Sequence, residues 1–309
     1  MLKLQTPVTD DRCKVGISFN DRIMMLGSCF SDSIGRQLSD YGFNVCVNPF
    51  GTLYNPVSIL NSVERLATGK EFTPEECIMI GAGDERFCSF SHHTSFARAS
   101  MEDFIENANK ALNEAREFFL NADKLIITLG TSWCFRHNAS GIIVSNCLKR
   151  NAAEFTRERL SVAEVTDALK RIQELTNAQI ILTVSPIRHF KDGAHGNQIS
   201  KATLLLGIEE FLASCPVDLS MNPRYPAEYF PAYEIVMDEL RDYRFYAEDM
   251  CHPSQQTVNY IRERFLDWAL LKEEQVFRFL VARGVLRDRS ACVSWERVQT
   301  LYRPGRRGS

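Results

Sequence analysis

The chain has 309 residues, 45% apolar and 24% charged, which is enough to bury a full core and excludes a disordered or collagen-like chain. Lys and Arg total 36 against 39 Asp and Glu, a net charge of -3, so there is no basic field of the kind nucleic-acid or anionic-membrane binding leaves. A small or neutral partner is expected, with no nucleic acid and no membrane. The stretch MLKLQTPVTDDR has no apolar signal core, and no run reaches the ~18 apolar residues of a membrane span. The ten cysteines are therefore expected to be reduced thiols of a soluble cytoplasmic protein. They form no CxxC pair of the kind structural zinc sites use. Cys88 with His92 and His93 is the nearest approach to a metal cluster, and no metal or other cofactor is expected.

In chain order, short β-rich runs fall at Arg22 to Leu26, Phe43 to Val47, Lys124 to Leu129, Gln179 to Val184 and Pro216 to Leu219. Helical periodicity falls between and after them at Ser31 to Tyr41, Pro56 to Ala67, Met101 to Leu120, Ser161 to Leu175, Gln198 to Leu212 and Pro231 to Leu240. Five strands with crossover helices predict one α/β domain, doubly wound around a mainly parallel sheet. Residues 71–100, ending in FCSFSHHTSF, and 132–147, a hairpin turning at Asn138 to Gly141, interrupt the rhythm as insertions that can wall a pocket. Past His252, helical patterns run through Phe265, Trp268 and Leu270 and again from Phe277 to Leu286, before the basic tail RPGRRGS. The expected division is a domain over 1–270 and a C-terminal helical extension over 271–309.

Two short polar motifs carry chemistry. The first strand, RIMML, runs into Gly27-Ser28-Cys29-Phe30 and then a helix opening at Ser31-Asp32. A serine at such a turn sits at the carboxyl end of the sheet, where open α/β folds bind ligands and a helix N-terminus supplies orphan N–H groups. That suits a nucleophile beside an anion hole; the alternative is that Ser28 or Ser31 only caps the helix. Cys29 is a minor alternative nucleophile, requiring a lowered thiol pKa. Near the other end, Asp249 stands three residues ahead of His252, a spacing from which a carboxylate can fix the imidazole tautomer and leave the second ring nitrogen as a base. Ser28, Asp249 and His252 have the parts for nucleophilic acyl transfer.

GSCF after the first strand, DMCHPS near the end, and NPFGTLYNP (48–56), LGTSW (129–133), SPIRHFKDG (185–193) and YFPAYEIVMDELRDYRFYAEDMCHPS (229–254) between them resemble the GSCFA family, a relative of the GDSL or SGNH esterases. The resemblance implies a three-layer α/β/α sandwich, flavodoxin-like, with Ser28 as nucleophile and Asp249 and His252 completing a triad. It implies an oxyanion hole from the N–H groups of Ser28 and Gly51, with Thr131 or Ser132 where the wider pattern has an Asn. The function it implies is an SGNH-like serine esterase acting on an acyl ester, such as an acetyl ester on a sugar. The alternatives are an O-acyltransferase with the same triad, or a non-catalytic binding module.

In SPIRHFKDG, Arg188, His189 and Lys191 are candidates for contacting an anionic substrate, or Arg188 for pairing with Glu234. His92 and His93 are expected on a surface loop with a possible binding role, and His137 and His195 in solvent.

Overall fold

The computed structural model describes residues 6–9, 16–215, 227–271 and 274. Five strands form the central sheet: β1 (Arg22–Gly27), β2 (Asn44–Val47), β3 (Lys124–Leu129), β4 (Gln179–Val184) and β5 (Glu228–Tyr229). All are parallel and lie in the order β2-β1-β3-β4-β5. Six helices of three or more turns accompany them among the described residues: α1 (Cys29–Asp40), α2 (Pro56–Thr68), α3 (Met101–Leu120), α4 (Val162–Leu175), α5 (Gly193–Ser214) and α6 (Gln255–Ala269).

Strand alternation explains the layering. Side chains along a strand point to opposite faces, and both faces of this sheet are apolar because helices cover both. Met24, Leu26, Leu125, Ile127, Ile180 and Leu182 join one core with Leu66 of α2, Leu112 of α3, Leu169 of α4 and Phe211 of α5. Their neighbours Ile23, Met25, Ile126 and Ile181 face the other way, into a second core with Phe30, Ile34 and Leu38 of α1 and Ile261 and Phe265 of α6. The result is a three-layer α/β/α sandwich.

Helix starts follow their caps. Asn55 accepts from Ser58 N at 2.9 Å ahead of Pro56, Ser161 forms a capping box with Glu164, and Ser254 caps α6. Among the described residues the fifth sheet strand is Glu228–Tyr229, paired with Ile181 and Leu182; the strand expected at Pro216 to Leu219, like the helical pattern from Phe277 to Leu286, lies outside them. Two other expectations need correction. Helix α5 starts at Gly193, ahead of Gln198. Pro231 to Leu240 is a short helical turn, Ala232–Glu234, that widens into a π-helical turn, Ile235–Leu240, and stops at Arg241 with φ 44°.

The expected hairpin forms from Trp133–His137 and Ile143–Val144, and a third strand, Phe155–Arg159, adds to its other edge. Within 71–100, Ile78–Met79 pairs with Phe87–Cys88. No helix among the described residues is long and apolar enough to cross a membrane. The eight described cysteines are free thiols.

Candidate active site

The chain leaves β1 for β2 on one side and later enters β3 on the other, so the carboxyl ends of β1 and β3 flank the point where such sheets bind ligands. Gly27 closes β1 with φ 140°, and a Cβ there would stand 2.2 Å from Thr128 O. Only glycine lets the turn pass so close to β3. Its amide donates to Asn48 Oδ1 at 2.8 Å, and Asn48 Nδ2 donates to Asp32 Oδ1 at 2.6 Å. Asn48 thus staples the end of β1 to the first turn of α1, from a left-handed backbone with φ 42° that asparagine tolerates better than most residues. Nothing in the sequence marks this role beyond the place of Asn48 in NPFGTLYNP.

Ser28 follows, fully buried. It is the N-cap of α1, its Oγ accepting from Phe30 N at 3.3 Å. Ser31 is no cap, since its hydroxyl donates to Thr128 Oγ1 at 2.7 Å. Burial, reinforced by Asp32, raises the Cys29 thiol above its ordinary range, the opposite of what a thiolate nucleophile needs.

Asp249 and His252 form the expected pair. Asp249 Oδ2 meets His252 Nδ1 at 2.5 Å, while its Oδ1 accepts from the amides of Cys251 and His252, both at 2.9 Å. Those two amides, then the imidazole contact, hold the Asp249 carboxyl down at about 2, so it stays ionised. The turn is anchored to the chain beyond β4: Arg188 N donates to Cys251 O at 3.1 Å and Arg188 Nη1 to Met250 O at 3.2 Å. Both Asp249 and His252 are about half exposed, at 49% and 52%. Among the described residues no hydrogen bond joins His252 to Ser28.

The expected oxyanion donors are mostly engaged. Gly51, with φ 90° and His93 Cβ packed where a side chain would stand, donates its amide to Asn48 O at 2.8 Å. The Ser28 amide reaches Thr128 O at 3.3 Å, long for such a bond. Ser132 is buried, and both its amide (2.8 Å) and its hydroxyl (3.2 Å) donate to Ser200 Oγ of α5. Thr131 Oγ1 lies 2.9 Å from the same oxygen and accepts from Trp133 N at 3.0 Å. Ser200 Oγ has two lone pairs and one proton. Both lone pairs are used by Ser132, so its proton goes to Thr131, and the Thr131 hydroxyl proton is left uncommitted.

Behind this edge lies a lysine that carries no signal in the helical pattern of the sequence. Lys201 of α5 is fully buried, and its Nζ donates to Gly130 O and Ser185 O, each at 2.7 Å, joining the ends of β3 and β4. Burial brings its amine down to about 7. His189 packs edge-on to Tyr54, with ring centres 6.3 Å apart. Burial first, then Lys201 and His252, lowers its imidazole to about 4, and its buried Nε2 has no hydrogen-bond partner.

The other candidates scatter. Lys191 and His195 are exposed, and His137 is half-buried beside Phe90 and Phe155. Glu234 does not pair with Arg188; both its oxygens accept from the Tyr229 hydroxyl, at 2.9 and 2.8 Å. His93 is exposed, as expected of a loop residue. His92 is not: it is fully buried among Phe50, Phe72, Phe96 and Phe104, with Nδ1 2.7 Å from Ser89 Oγ and Nε2 unpartnered. Phe72 and Phe96 of the insertion close over it together with Phe50 and Phe104, as part of the same core that packs against the sheet. Among the described residues no cluster of His, Cys, Asp and Glu could hold a metal ion.

The fold and these residues define an α/β/α sandwich with a serine at the β1–α1 turn and an Asp–His pair on the loop before α6. The chain belongs to the GSCFA family, whose model matches residues 22–265, a span that contains Ser28, Asp249 and His252. No curated protein matches the chain.

Proposed function

We propose that this chain is a serine esterase of the SGNH type, acting on an acyl ester through an acyl-enzyme on Ser28. The observation that carries the reading is the Asp249–His252 pair. A carboxylate fixed by two amides holds Nδ1 of the imidazole, which leaves Nε2 as a base. Support also comes from the position of Ser28 at the carboxyl end of β1 and from family membership. His252 would take the Ser28 proton as the serine oxygen attacks the ester carbonyl and would return it to the departing alkoxide, so that the alcohol leaves and the acyl group stays on Ser28. Water, deprotonated by His252, would then release the acyl group as the carboxylic acid and restore Ser28. An acceptor hydroxyl in place of water would make the enzyme an O-acyltransferase.

The oxyanion would draw on the Ser28 amide, whose bond to Thr128 is weak, and on the free hydroxyl proton of Thr131 rather than Ser132. Gly51 could join only by giving up its bond to Asn48. Catalytic contacts in ligand-free enzymes commonly tighten when substrate binds, and Ser28 would have to turn away from Phe30 N.

A second reading, a non-catalytic binding module on the same fold, is favoured by the complete burial of Ser28 and the engaged Gly51 amide. Turnover of p-nitrophenyl acetate by wild type, Ser28→Ala and His252→Ala separates the two. The esterase reading expects both variants to lose activity, and wild-type rates in either would remove that residue from the mechanism. Adding a sugar acceptor and assaying for the O-acetyl sugar distinguishes transfer from hydrolysis.

A further inference from the structure

A 220 Å³ cavity adjoins the Asp249–His252 turn, lined by Arg188, Val236, Met237, Arg241, Asp242, Tyr243 and Tyr246. Its wall and the turn are one piece of backbone: Tyr246 bridges to Pro253, and Ala247 N donates to His252 O at 2.7 Å. Arg188 is half-buried in it. Its guanidinium lies 4.2 Å from the ring centre of Phe190 and 5.4 Å from those of Tyr243 and Tyr246. Nη1 donates to Met250 O; of the five N–H groups a guanidinium carries, the other four have no partner among the described residues.

The nearby carboxylates are committed elsewhere. Asp242 accepts from Arg244 N and Arg244 Nη2, at 2.9 and 3.0 Å, and Asp238 faces Arg241 at 4.0 Å. Aromatic rings at cation–π distance do not satisfy the N–H groups of a guanidinium, so its free N–H edge remains, and such an edge matches a carboxylate bidentately. At about 30 Å³ per water, the cavity has room for roughly seven, enough for a carboxylate and part of the group bearing it.

We propose that this cavity is the anion subsite of the candidate active site, in which Arg188 holds a carboxylate carried by the ester substrate. The proposal rests on the esterase reading for its link to catalysis, but its binding claim does not. The probes are 4-acetoxybenzoate, its neutral methyl ester and 4-acetoxyphenyl phosphate, with wild type, Arg188→Gln and Arg188→Lys. Wild type is expected to favour the carboxylate over the methyl ester by about 10- to 100-fold in kcat/KM, expressed in KM, as one charge-assisted pair supplies. Arg188→Gln should collapse that ratio, and Arg188→Lys should keep part of it.

Calorimetric binding of 4-acetoxybenzoate to Ser28→Ala, with and without Arg188→Gln, reads the subsite without turnover; thermal melts confirm that each variant is folded. Arg188-dependent binding with no turnover by any form overturns the esterase reading and upholds the subsite. Turnover with no charge preference, or a preference that survives Arg188→Gln, overturns the subsite and leaves the esterase intact. A stronger Arg188-dependent preference for the phosphate overturns the assignment to carboxylates.

Discussion

Replacing His92 by leucine removes the one imidazole that the aromatic insertion seals from water. His92 is fully buried among four phenylalanines, and burial, with a smaller push from Arg65, holds it at about 3 against an ordinary 6.5. The group therefore binds a proton in the unfolded chain but not in the folded one between those two values. Stability rises with pH across that window and is lost as pH falls through it. At about pH 5, some 1.5 units below the ordinary value, the loss is about 2 kcal/mol at 1.36 kcal/mol per unit; at about pH 7.5 it is near zero.

Leucine is close to histidine in volume, and it exchanges the Ser89 hydrogen bond and an orphaned Nε2 for apolar contact, so the net change near neutral pH should be small. Urea unfolding followed by tryptophan fluorescence at the two pH values reads the difference. Wild type should lose about 2 kcal/mol more than His92→Leu on going from about pH 7.5 to about pH 5. Equal losses in the two proteins would mean that His92 takes up its proton in the fold as readily as in the open chain, despite its burial.

Three other consequences are measurable. Asp249→Asn keeps the size of the side chain but no longer fixes the imidazole tautomer, and kcat on p-nitrophenyl acetate should drop by ~10²–10⁴-fold; a drop under about threefold would take Asp249 out of the mechanism. Asn48→Ala frees the Gly27 amide and the Asp32 carboxylate, and should cost about 1–3 kcal/mol of stability along with slower acylation in a pre-steady-state burst; unchanged melting would contradict its role as a staple. Lys201 sits at about 7 in the fold against 10.5 in the open chain, so the unfolded state binds more protons between those values and wild-type stability should rise by about 2–3 kcal/mol from about pH 7.5 to about pH 9.5. Lys201→Met should not show that rise, and the same rise in both proteins would assign it to other groups.

The parts of this structure legible in the sequence are those where burial leaves one solution. Lys124–Leu129 and Gln179–Val184 match their expected bounds because apolar runs covered on both faces have nowhere to sit but the middle of a parallel sheet. Met101–Leu120 is as clear, with Ser100 accepting from Asp103 N at its start. Legibility fails where polar groups are buried. The first turn of α5, GAHGN, holds two glycines and turns the polar Asn197 inward, against the usual apolar stripe, so the apolar pattern starts later than the helix does. Phe155–Arg159 reads FTRER and pairs along a half-solvated edge, with little apolar content to announce a strand.

The same contrast holds at the site. Ser28, Asp249 and His252 stand out by residue type and local spacing, and the Asp–His contact follows from a tight turn. Asn48, Ser200 and Lys201 do not, because each acts on a partner distant in sequence: Gly27, Ser132 and the carbonyls of Gly130 and Ser185. Surroundings, rather than residue type, also decide His92, which stands beside exposed His93 in the chain and is itself in the core.

Incubating the folded protein with a fluorophosphonate and mapping the adduct by mass spectrometry reads whether Ser28 is an activated nucleophile. The expected result is one adduct, on Ser28, absent from Ser28→Ala and formed more slowly in His252→Ala. No adduct in the folded protein, or one on Cys29 or any other residue, would contradict the account.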